Sequence, residues 1–257
     1  MNNPPKQKGS RPTPGPGGRT PLRGHPKESP QVRLSKTLSW ILRHGAKSEG
    51  LSMRPDGYVR VSDLLASPRF SSPTQLDLAA LQRIVESDSK QRYMLIKAPN
   101  EAAPMADEVW WIRANQGHSL KEVKLDLKPI LSAADIPMAV HGTTKTAWES
   151  ISVQGLSRRT RNHIHLAQGV PEDGVISGMR KLSQVLIYID VQKALDAGIP
   201  FFISENGVVL TEGDGSGFLS PKYFLRVEDR DGKPIPSWPI SSTRTQSGSV
   251  VVPSQVS

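Results

Sequence analysis

The chain of 257 residues contains no cysteine. This absence excludes a disulfide framework, a thiolate metal site and a cysteine nucleophile. Aromatic residues make up only 5% of the chain, and no apolar run approaches the ~18 residues that a membrane span requires. The N-terminal sequence MNNPPKQKGS lacks the apolar core of a secretory signal. We therefore expect an intracellular protein, nuclear or cytoplasmic, that is not secreted.

Acidic residues are scarce at the N-terminus. Residues 1–33 hold seven Lys or Arg and a single acid, Glu28, so they carry +6 of the chain's net charge of +9. Residues 1–30 also contain eight Pro and five Gly, and residues 234–257 have a similar composition, so we predict that both segments are disordered. A basic arm of this kind either attracts nucleic acid without sequence preference or only increases solubility.

Residues 31–125 have the element order of a small helical module followed by a hairpin. The predicted elements are a helix at 34–44, a strand at 58–61, helices from Ser62 and at 76–87, and strands at 92–96 and 109–113. Three helices followed by a hairpin is the order of a winged-helix module. Such modules often bind nucleic acid, although a fold alone does not establish a function.

After a charged stretch at 121–129, interpreted as a connector, the pattern becomes mainly β. The predicted strands lie at 138–141, 163–166, 185–190, 201–203, 208–210 and 223–227, with helices at 145–153 and 191–197. No βαβ rhythm appears and no G-x-G-x-x-G follows a strand, so the predicted fold class is α+β. We interpret the glycine-rich run 213–217 as a loop in preference to a phosphate-binding cradle.

Four motifs contain the candidate chemistry, although each alone also has a purely structural explanation. They are LRHG (42–45), DSKQRY (88–93), IRANQGHS (112–119), and HGT (141–143) followed by RNHIHL (161–166). Arg43 and His44 would suit a helix C-terminus, where cations gain a few tenths to ~1 kcal/mol. His163 and His165 would share one face of a strand and could reach one metal ion, but no cysteine or carboxylate pair accompanies them. We therefore predict no metal site.

Taken together and in this order, the motifs resemble those of the tRNA 2′-phosphotransferase family, enzymes that remove the splice-junction 2′-phosphate using NAD. The similarity extends from Leu34 to Glu228 through LSKTLSWILRHGA, DGYVRVSDLL, SDSKQRYML, IRANQGHS, HGT, RNHIHLA and ENGVVL. The resemblance implies a winged-helix RNA-binding lobe over 31–125 and a mainly-β, ADP-ribosyltransferase-like NAD-binding lobe over 126–233.

The resemblance also implies which residues act. Its catalytic quartet falls on Arg43, His44 and Arg92 in the first lobe and on Arg161 in the second. Its NAD contacts fall on His141, Gly142, Thr143, Asn206 and Gly207. Gln116, His118 and Ser119 belong to a segment that we expect at the junction of the lobes, near the substrate.

The implied reaction has two steps. The RNA 2′-phosphate attacks the ribose carbon that bears nicotinamide, and the ADP-ribose 2″-hydroxyl then attacks phosphorus and expels the RNA 2′-hydroxyl. The products are RNA, nicotinamide and ADP-ribose 1″,2″-cyclic phosphate. Since the nucleophile arrives with the substrate, the lack of cysteine is no objection. Guanidinium groups bind phosphate bidentately, His44 is the natural general acid, and no metal is needed if arginine neutralises the charge.

Two alternatives belong to other functional classes. One is an ADP-ribosyltransferase that leaves ADP-ribose on nucleic-acid phosphate ends or on protein. The other is a noncatalytic RNA-binding protein, which has no need of Arg161 or of the HGT motif. The predicted partner is 2′-phosphorylated RNA, most simply tRNA, with no membrane association and a monomeric protein.

Overall fold

The computed structural model describes residues 22–70, 76–99, 108–170, 178–180 and 182–235. Helices and strands are mixed along the chain, with strands paired antiparallel, so the predicted α+β class is confirmed. The finer description, a winged-helix lobe and an ADP-ribosyltransferase-like lobe, stays a prediction.

The chain forms two compact units. The first contains Met1–Lys128 together with the short segments Arg159–His163 and Ile203–Val208. The second contains Pro129–Arg158, Ile164–Phe202 and Val209–Ser257. The domain boundaries drawn from the sequence stay predictions.

Within its described residues, the first unit contains three α-helices and a three-stranded sheet. In chain order its elements are α1 (Pro30–Trp40), a π-helical turn (Ile41–Gly45), a 3₁₀ turn (Lys47–Glu49), β1 (Val59–Arg60), α2 (Val61–Leu65), α3 (Leu78–Glu86), β2 (Tyr93–Ala98) and β3 (Val109–Ala114). The strand order is β1-β3-β2, and both pairings are antiparallel. These elements match the predicted helices and strands closely.

Local signals in the sequence define where the helices begin. The Ser29 hydroxyl accepts the N–H of Val32, and Pro30 follows at the first helical position, so α1 begins there. The Asp77 carboxylate accepts the N–H of Ala80 and caps α3 in the same way. Fully buried side chains of the three α-helices, the π-helical turn and the sheet form one core, whose members include Leu38, Ile41, Leu42, Val59, Leu64, Leu81 and Ile112.

Contacts of the first unit begin at Leu22, ahead of the predicted boundary at residue 31. The Leu22 side chain packs against the core, and its carbonyl accepts from the Arg33 guanidinium at 3.3 Å. The N–H of Arg23 donates to the buried Thr37 hydroxyl at 2.8 Å. These contacts join residues far apart in sequence, which the proline-rich composition did not reveal. Residues 1–21 of the predicted tail lie outside the described residues.

The remaining elements are mainly short strands. They are β4 (Lys128–Ile130), β5 (Val140–Thr143), α4 (Lys145–Gln154), β6 (Leu156–Ser157), β7 (Ile164–Leu166), β8 (Val185–Ile189), α5 (Val191–Asp196), β9 (Phe201–Ile203), β10 (Val209–Thr211), β11 (Phe218–Leu219) and β12 (Phe224–Asp229). They form sheets of order β4-β9-β10-β7 and β12-β8-β5, and a two-stranded ribbon β11-β6. Ile187 and Leu210, at the centres of β8 and β10, are fully buried.

Three strands, β4, β6 and β11, were not predicted from the sequence, because each has only two or three residues. β4 lies at the end of the predicted connector, and β6 pairs with β11 directly after the glycine-rich run. That run is a loop, as predicted. The Asp214 carboxylate accepts the N–H groups of Ser216 and Phe218 at 2.9 and 3.0 Å, which closes the turn.

Two further observations concern metal and membrane. His163 lies outside β7, which begins at Ile164, so the predicted strand that would pair it with His165 is one residue too long. The described residues contain no cluster of three or more His, Cys, Asp or Glu arranged to hold a metal ion. Among the helices of the described ranges, none has the length and apolar character to cross a membrane.

Candidate active site

Arg43 and His44 lie on the π-helical turn that continues α1. Within this turn Ile41 and Leu42 are fully buried in the core, whereas Arg43 and His44, which follow them, are only partly buried. Gly45 ends the turn, and a Cβ at this position would lie 2.5 Å from the Trp40 ring. Only glycine therefore allows the wide turn to close against the ring, and π turns of this kind are frequent at functional sites.

The Arg43 guanidinium is a buried cation whose charge has few hydrogen-bond acceptors or negative charges around it. Its Nε and Nη2 atoms are buried, and neither has a hydrogen-bond partner among the residues that the structure describes. The pKa of Arg43 is lowered to about 10, mainly by burial and further by the charges of Arg161 and Arg92. The Tyr93 hydroxyl and the Asp88 carboxylate act in the opposite direction and raise this pKa. The group is still cationic at pH 7. A desolvated guanidinium with unused donors favours an anionic ligand.

Gly117 holds the backbone close to Arg43. It adopts a φ of +92°, and an added Cβ would lie 3.2 Å from Arg43 Cδ. Two residues later, the N–H of Ser119 donates to the Arg43 carbonyl at 3.0 Å. The QGHS segment therefore packs along the π-helical turn because a glycine at 117 permits both the conformation and the approach.

His44 is half-buried and lies among positive charges. Its Nδ1 is 2.9 Å from the Ser119 hydroxyl, so Ser119 orients the ring. Burial lowers the pKa of His44 below its ordinary value, and the charges of Arg161, Arg43 and Arg23 lower it further. The free protein therefore holds this imidazole neutral at pH 7, and a bound anion would raise its pKa again.

Arg92 ends a tight loop that is organised by Asp88. The Asp88 carboxylate accepts the N–H of Arg92 at 2.6 Å and also pairs with the Arg92 guanidinium. Gln91 between them has a φ of 45°, which is uncommon for a residue with a side chain. Asn115 stabilises this loop by donating its amide to the Gln91 carbonyl at 2.7 Å.

Asn206 stabilises the same loop from a distant part of the chain. Its Nδ2 donates to the Lys90 carbonyl at 2.9 Å, and its Oδ1 accepts the Ser204 hydroxyl at 2.9 Å. Both ends of the Asn206 amide are thus used within the first unit. The following Gly207 has a φ of 72° and closes the turn by donating to the Ser204 carbonyl. Their predicted role in NAD binding stays a prediction; the observed contacts position Arg92.

Arg161 belongs to a short segment, Arg159–His163, that groups with the first unit. Asn162 holds this segment in place: its N–H donates to the His118 carbonyl at 2.9 Å, and its amide donates to the Leu120 carbonyl at 3.0 Å. The Arg161 charge is the first electrostatic cause, after burial, of the lowered pKa of His44. The four residues of the predicted quartet are therefore in one unit, where the charges of Arg92 and Arg161 reach Arg43 and that of Arg161 reaches His44.

His118 differs from its neighbour Ser119 in being sealed from solvent. The residue is only 3% exposed, and neither ring nitrogen has a hydrogen-bond partner in the described part of the chain. Burial lowers the pKa of His118 to about 3, with further lowering by Arg43 and His44. His118 is thus a neutral packing residue beneath the cluster. Gln116 is similarly buried, whereas the Ser119 hydroxyl contacts the quartet residue His44 directly.

The HGT motif lies on β5 of the second unit. The Nδ1 of His141 lies 3.1 Å from the His165 carbonyl, and the Thr143 carbonyl accepts the N–H of Gln184 at 2.7 Å. A Cβ at Gly142 would collide with Ser183 Oγ and Met179 Cγ. The glycine is therefore required by packing inside the unit. All three residues remain partly exposed, which leaves this stretch of strand open to a ligand.

The surroundings of Arg43 in the first unit thus bring together the charges of Arg92 and Arg161, the His44 ring and the Asp88 carboxylate. Guanidinium groups arranged in this way favour an anionic ligand such as a phosphate, whose oxygens they can bind bidentately. Sequence motifs identified the charged residues. They gave no signal for the positioning roles of Asn115, Asn162 and Gly117, because these roles depend on contacts between segments.

Comparison with known proteins extends this conclusion. Residues 29–213 match the model of the family described as RNA 2′-phosphotransferase, Tpt1 / KptA family. A "tRNA 2′-phosphotransferase 1" of Danio rerio is 50% identical over 212 residues, covering 81% of this chain and 89% of that protein. The Homo sapiens protein of that name is 47% identical over 195 residues, covering 75% and 74%. A "Probable RNA 2′-phosphotransferase" of Rhizobium johnstonii is 32% identical over 191 residues, covering 74% and 94%.

The chain belongs to the RNA 2′-phosphotransferase family of transferases. The resemblance inferred from the motifs is confirmed.

Proposed function

We propose that this protein transfers the 2′-phosphate of spliced RNA, most simply tRNA, to NAD in two steps. The products are RNA with a free 2′-hydroxyl, nicotinamide and ADP-ribose 1″,2″-cyclic phosphate. The observation that carries the proposal is the buried Arg43 guanidinium with unused donors, beside His44 and within the field of Arg92 and Arg161. The names of the relatives support the choice of tRNA.

NAD fits the partly exposed stretch of β5 better than it fits the region of Asn206. His141 and Thr143 are partly exposed, whereas both ends of the Asn206 amide are already used. We therefore assign the dinucleotide contacts to His141 and Thr143 and a positioning role to Asn206. When bound, NAD supplies a ribose carbon with a good leaving group, to which the RNA phosphate oxygen can bond.

The arginines bind and desolvate the dianionic 2′-phosphate. Guanidinium groups stay charged and bind two oxygens at once, which a lysine ammonium does not. Preorganised cations in a desolvated site stabilise the charge that develops on phosphoryl oxygens by several kcal/mol. Arg43 suits this role because it is cationic and buried before any ligand arrives.

His44 donates a proton to the departing RNA 2′-oxygen. In the free protein its pKa is lowered, because burial and three nearby arginines oppose the charged form. A bound dianion counters these positive charges, so the pKa rises and His44 takes up a proton as the substrate binds. Ser119 fixes the ring through Nδ1, so Nε2 is the nitrogen left for the substrate.

The testing experiment is incubation of a 2′-phosphorylated RNA with the protein, with and without NAD. We expect loss of the 2′-phosphate and release of nicotinamide and cyclic phosphate with NAD only. An RNA that has a 2′-hydroxyl in place of the phosphate serves as control and should release no nicotinamide. Stable accumulation of ADP-ribosylated RNA or protein would instead establish the alternative ADP-ribosyltransferase activity, and no reaction in any arm would overturn the proposal.

A further inference from the structure

We propose that Arg23 binds the ribose-phosphate backbone of the RNA next to the nucleotide that carries the 2′-phosphate. Arg23 precedes α1 and lies outside residues 29–213, the range that matches the family model. The inference rests on the proposed function for the identity of the RNA. It adds a substrate-binding residue to the site described above.

The backbone of Arg23 is held in place by the first unit. Its N–H donates to the Thr37 hydroxyl at 2.8 Å, and Thr37 is fully buried in α1. The adjacent Leu22 packs against the core and accepts from the Arg33 guanidinium. The backbone at Leu22 and Arg23 is therefore held against α1 by two hydrogen bonds, one at each residue.

The Arg23 side chain is oriented by the Trp40 ring. Its guanidinium carbon lies 4.2 Å from the ring centroid, which is cation–π geometry. Trp40 is the last residue of α1, and the same ring packs against Gly45, next to His44. Arg23 is close enough to His44 for its charge to contribute to the lowered pKa of that histidine. The guanidinium therefore lies beside the phosphate-binding cluster.

The donors of Arg23 remain available for a ligand. The residue is exposed, and within the described part of the chain its guanidinium has no ionic or hydrogen-bonding partner. The nearest acid in sequence, Glu28, is occupied by the Lys36 ammonium and by the N–H of His25. Stacking on an aromatic face uses the plane of a guanidinium and leaves its N–H groups at the edge, where a phosphodiester can bind.

RNA is the anion that this position favours. Arg23 belongs to the unit that contains Arg43, His44 and Arg161, whereas the proposed NAD contacts, His141 and Thr143, belong to the other unit. A 2′-phosphorylated nucleotide inside a strand necessarily brings flanking phosphodiesters close to its own phosphate. A cation beside the cluster thus meets the RNA backbone.

Steady-state kinetics on substrates of two lengths test the inference. One substrate is a 2′-phosphorylated oligonucleotide with several flanking phosphodiesters, and the other is a nucleoside 2′-phosphate, which has none. We expect Arg23→Ala to raise KM for the longer substrate about fivefold, as for one exposed ion pair, and to leave the KM for NAD unchanged. The KM for the nucleoside 2′-phosphate should be almost the same for both proteins.

Lys27→Ala is the matched control, because it removes one exposed positive charge from the same segment. RNA binding without NAD, measured by fluorescence anisotropy, should show a salt dependence that is shallower by about 0.7 in Arg23→Ala. The inference would be overturned if Arg23→Ala and Lys27→Ala weakened RNA binding equally. It would also be overturned if Arg23→Ala changed only the KM for NAD, or changed neither RNA binding nor KM. Because anisotropy needs no turnover, it tests Arg23 even if the protein fails to dephosphorylate RNA, a result that overturns the proposed function instead.

Discussion

The charges of Arg92 and Arg161 lie close enough to Arg43 to lower its pKa, which is unfavourable unless something negative compensates. Asp88 offsets part of this charge through its pairing with Arg92. Burial, and after it the charges of neighbouring arginines, lower the pKa of Arg43 and the pKa of His44. At the scale of single residues the free protein is therefore prepared for a dianion, whose arrival relieves the repulsion.

Arg161 should be essential as an arginine. Arg161→Ala should slow dephosphorylation by on the order of 10²-fold or more, because a charged donor is lost from a closed site. Arg161→Lys should not restore the rate, since an ammonium lacks the fork that binds two oxygens. The measurement is kcat/KM on 2′-phosphorylated RNA, with Arg83→Ala, an exposed arginine of α3, as control. Near-normal activity of the lysine variant would exclude a bidentate role.

His44 should act mainly in the second step. Nicotinamide leaves without an acid, whereas the RNA 2′-oxygen needs a proton. His44→Ala should therefore slow loss of the phosphate from RNA more than it slows nicotinamide release, and ADP-ribosylated RNA should accumulate in a single turnover. The arginine variants should slow nicotinamide release itself. Parallel slowing of both time courses in His44→Ala would contradict the general-acid role.

At the scale of elements, the site depends on two irregular features beside regular ones. The π-helical turn at the end of α1 presents Arg43 and His44, and the loop from Asp88 to Arg92 presents the second arginine. Each is secured by a glycine or an amide from another segment: Gly117 against Arg43, and Asn206 on the Lys90 carbonyl. Changes at these supports should therefore lower activity in addition to any effect on stability.

Gly117→Ala and Gly50→Ala separate these two effects. Both glycines have positive φ, +92° and +70°, so alanine should cost roughly 1–2 kcal/mol of stability at either position. An alanine Cβ at 117 would also press on Arg43 Cδ at 3.2 Å, whereas at 50 it would meet nothing within 4 Å. We expect about tenfold loss of kcat/KM in Gly117→Ala only. Equal activity of the two variants would show that Gly117 does not position Arg43.

At the scale of the whole molecule, a buried neutral histidine links stability to pH. The pKa of His118 is about 3 in the folded protein and about 6.5 when unfolded, so the unfolded chain binds more protons between these values. The contribution of neutral His118 to the unfolding free energy is fully present above pH 6.5 and is lost as the pH falls towards 3. This loss amounts to up to about 1.4 kcal/mol per pH unit in this range.

Urea unfolding of the protein and of His118→Gln measures this contribution. Between pH 7 and pH 5 the unmodified protein should lose about 2 kcal/mol more unfolding free energy than the variant does, since glutamine does not titrate. Two curves of stability against pH that run parallel would show that His118 is not the source of the dependence.

The N-terminal segment should divide into two functional parts. Residues 1–21 contain four basic residues and no acid, so their deletion should weaken binding of long RNA and flatten its salt dependence. Turnover of a short oligonucleotide should stay within about twofold, because the first described contacts begin at Leu22. Extending the deletion to residue 30 should impair the short substrate as well, through loss of Leu22 and Arg23. Activity assays on both RNA lengths distinguish these outcomes.

The sequence by itself determined the elements and the family. Apolar spacing, helix caps and turn residues act over a few positions, so α1, α3 and the β2–β3 hairpin followed from local patterns. The motifs around Arg43, Arg92 and Arg161 identified the family, and the catalytic roles of these residues stay predictions. Short strands such as β6 were missed, since two residues carry almost no periodic signal.

Only the tertiary structure decided how those residues are held. The amide of Asn206 reaches a carbonyl 116 positions away, and Leu22 packs into a core that lies entirely after it in sequence. The wide turn before Gly45 depends on where the Trp40 ring lies. Such features depend on contacts between segments that are distant along the chain, and the free energy of those contacts is not encoded in any one stretch of the sequence.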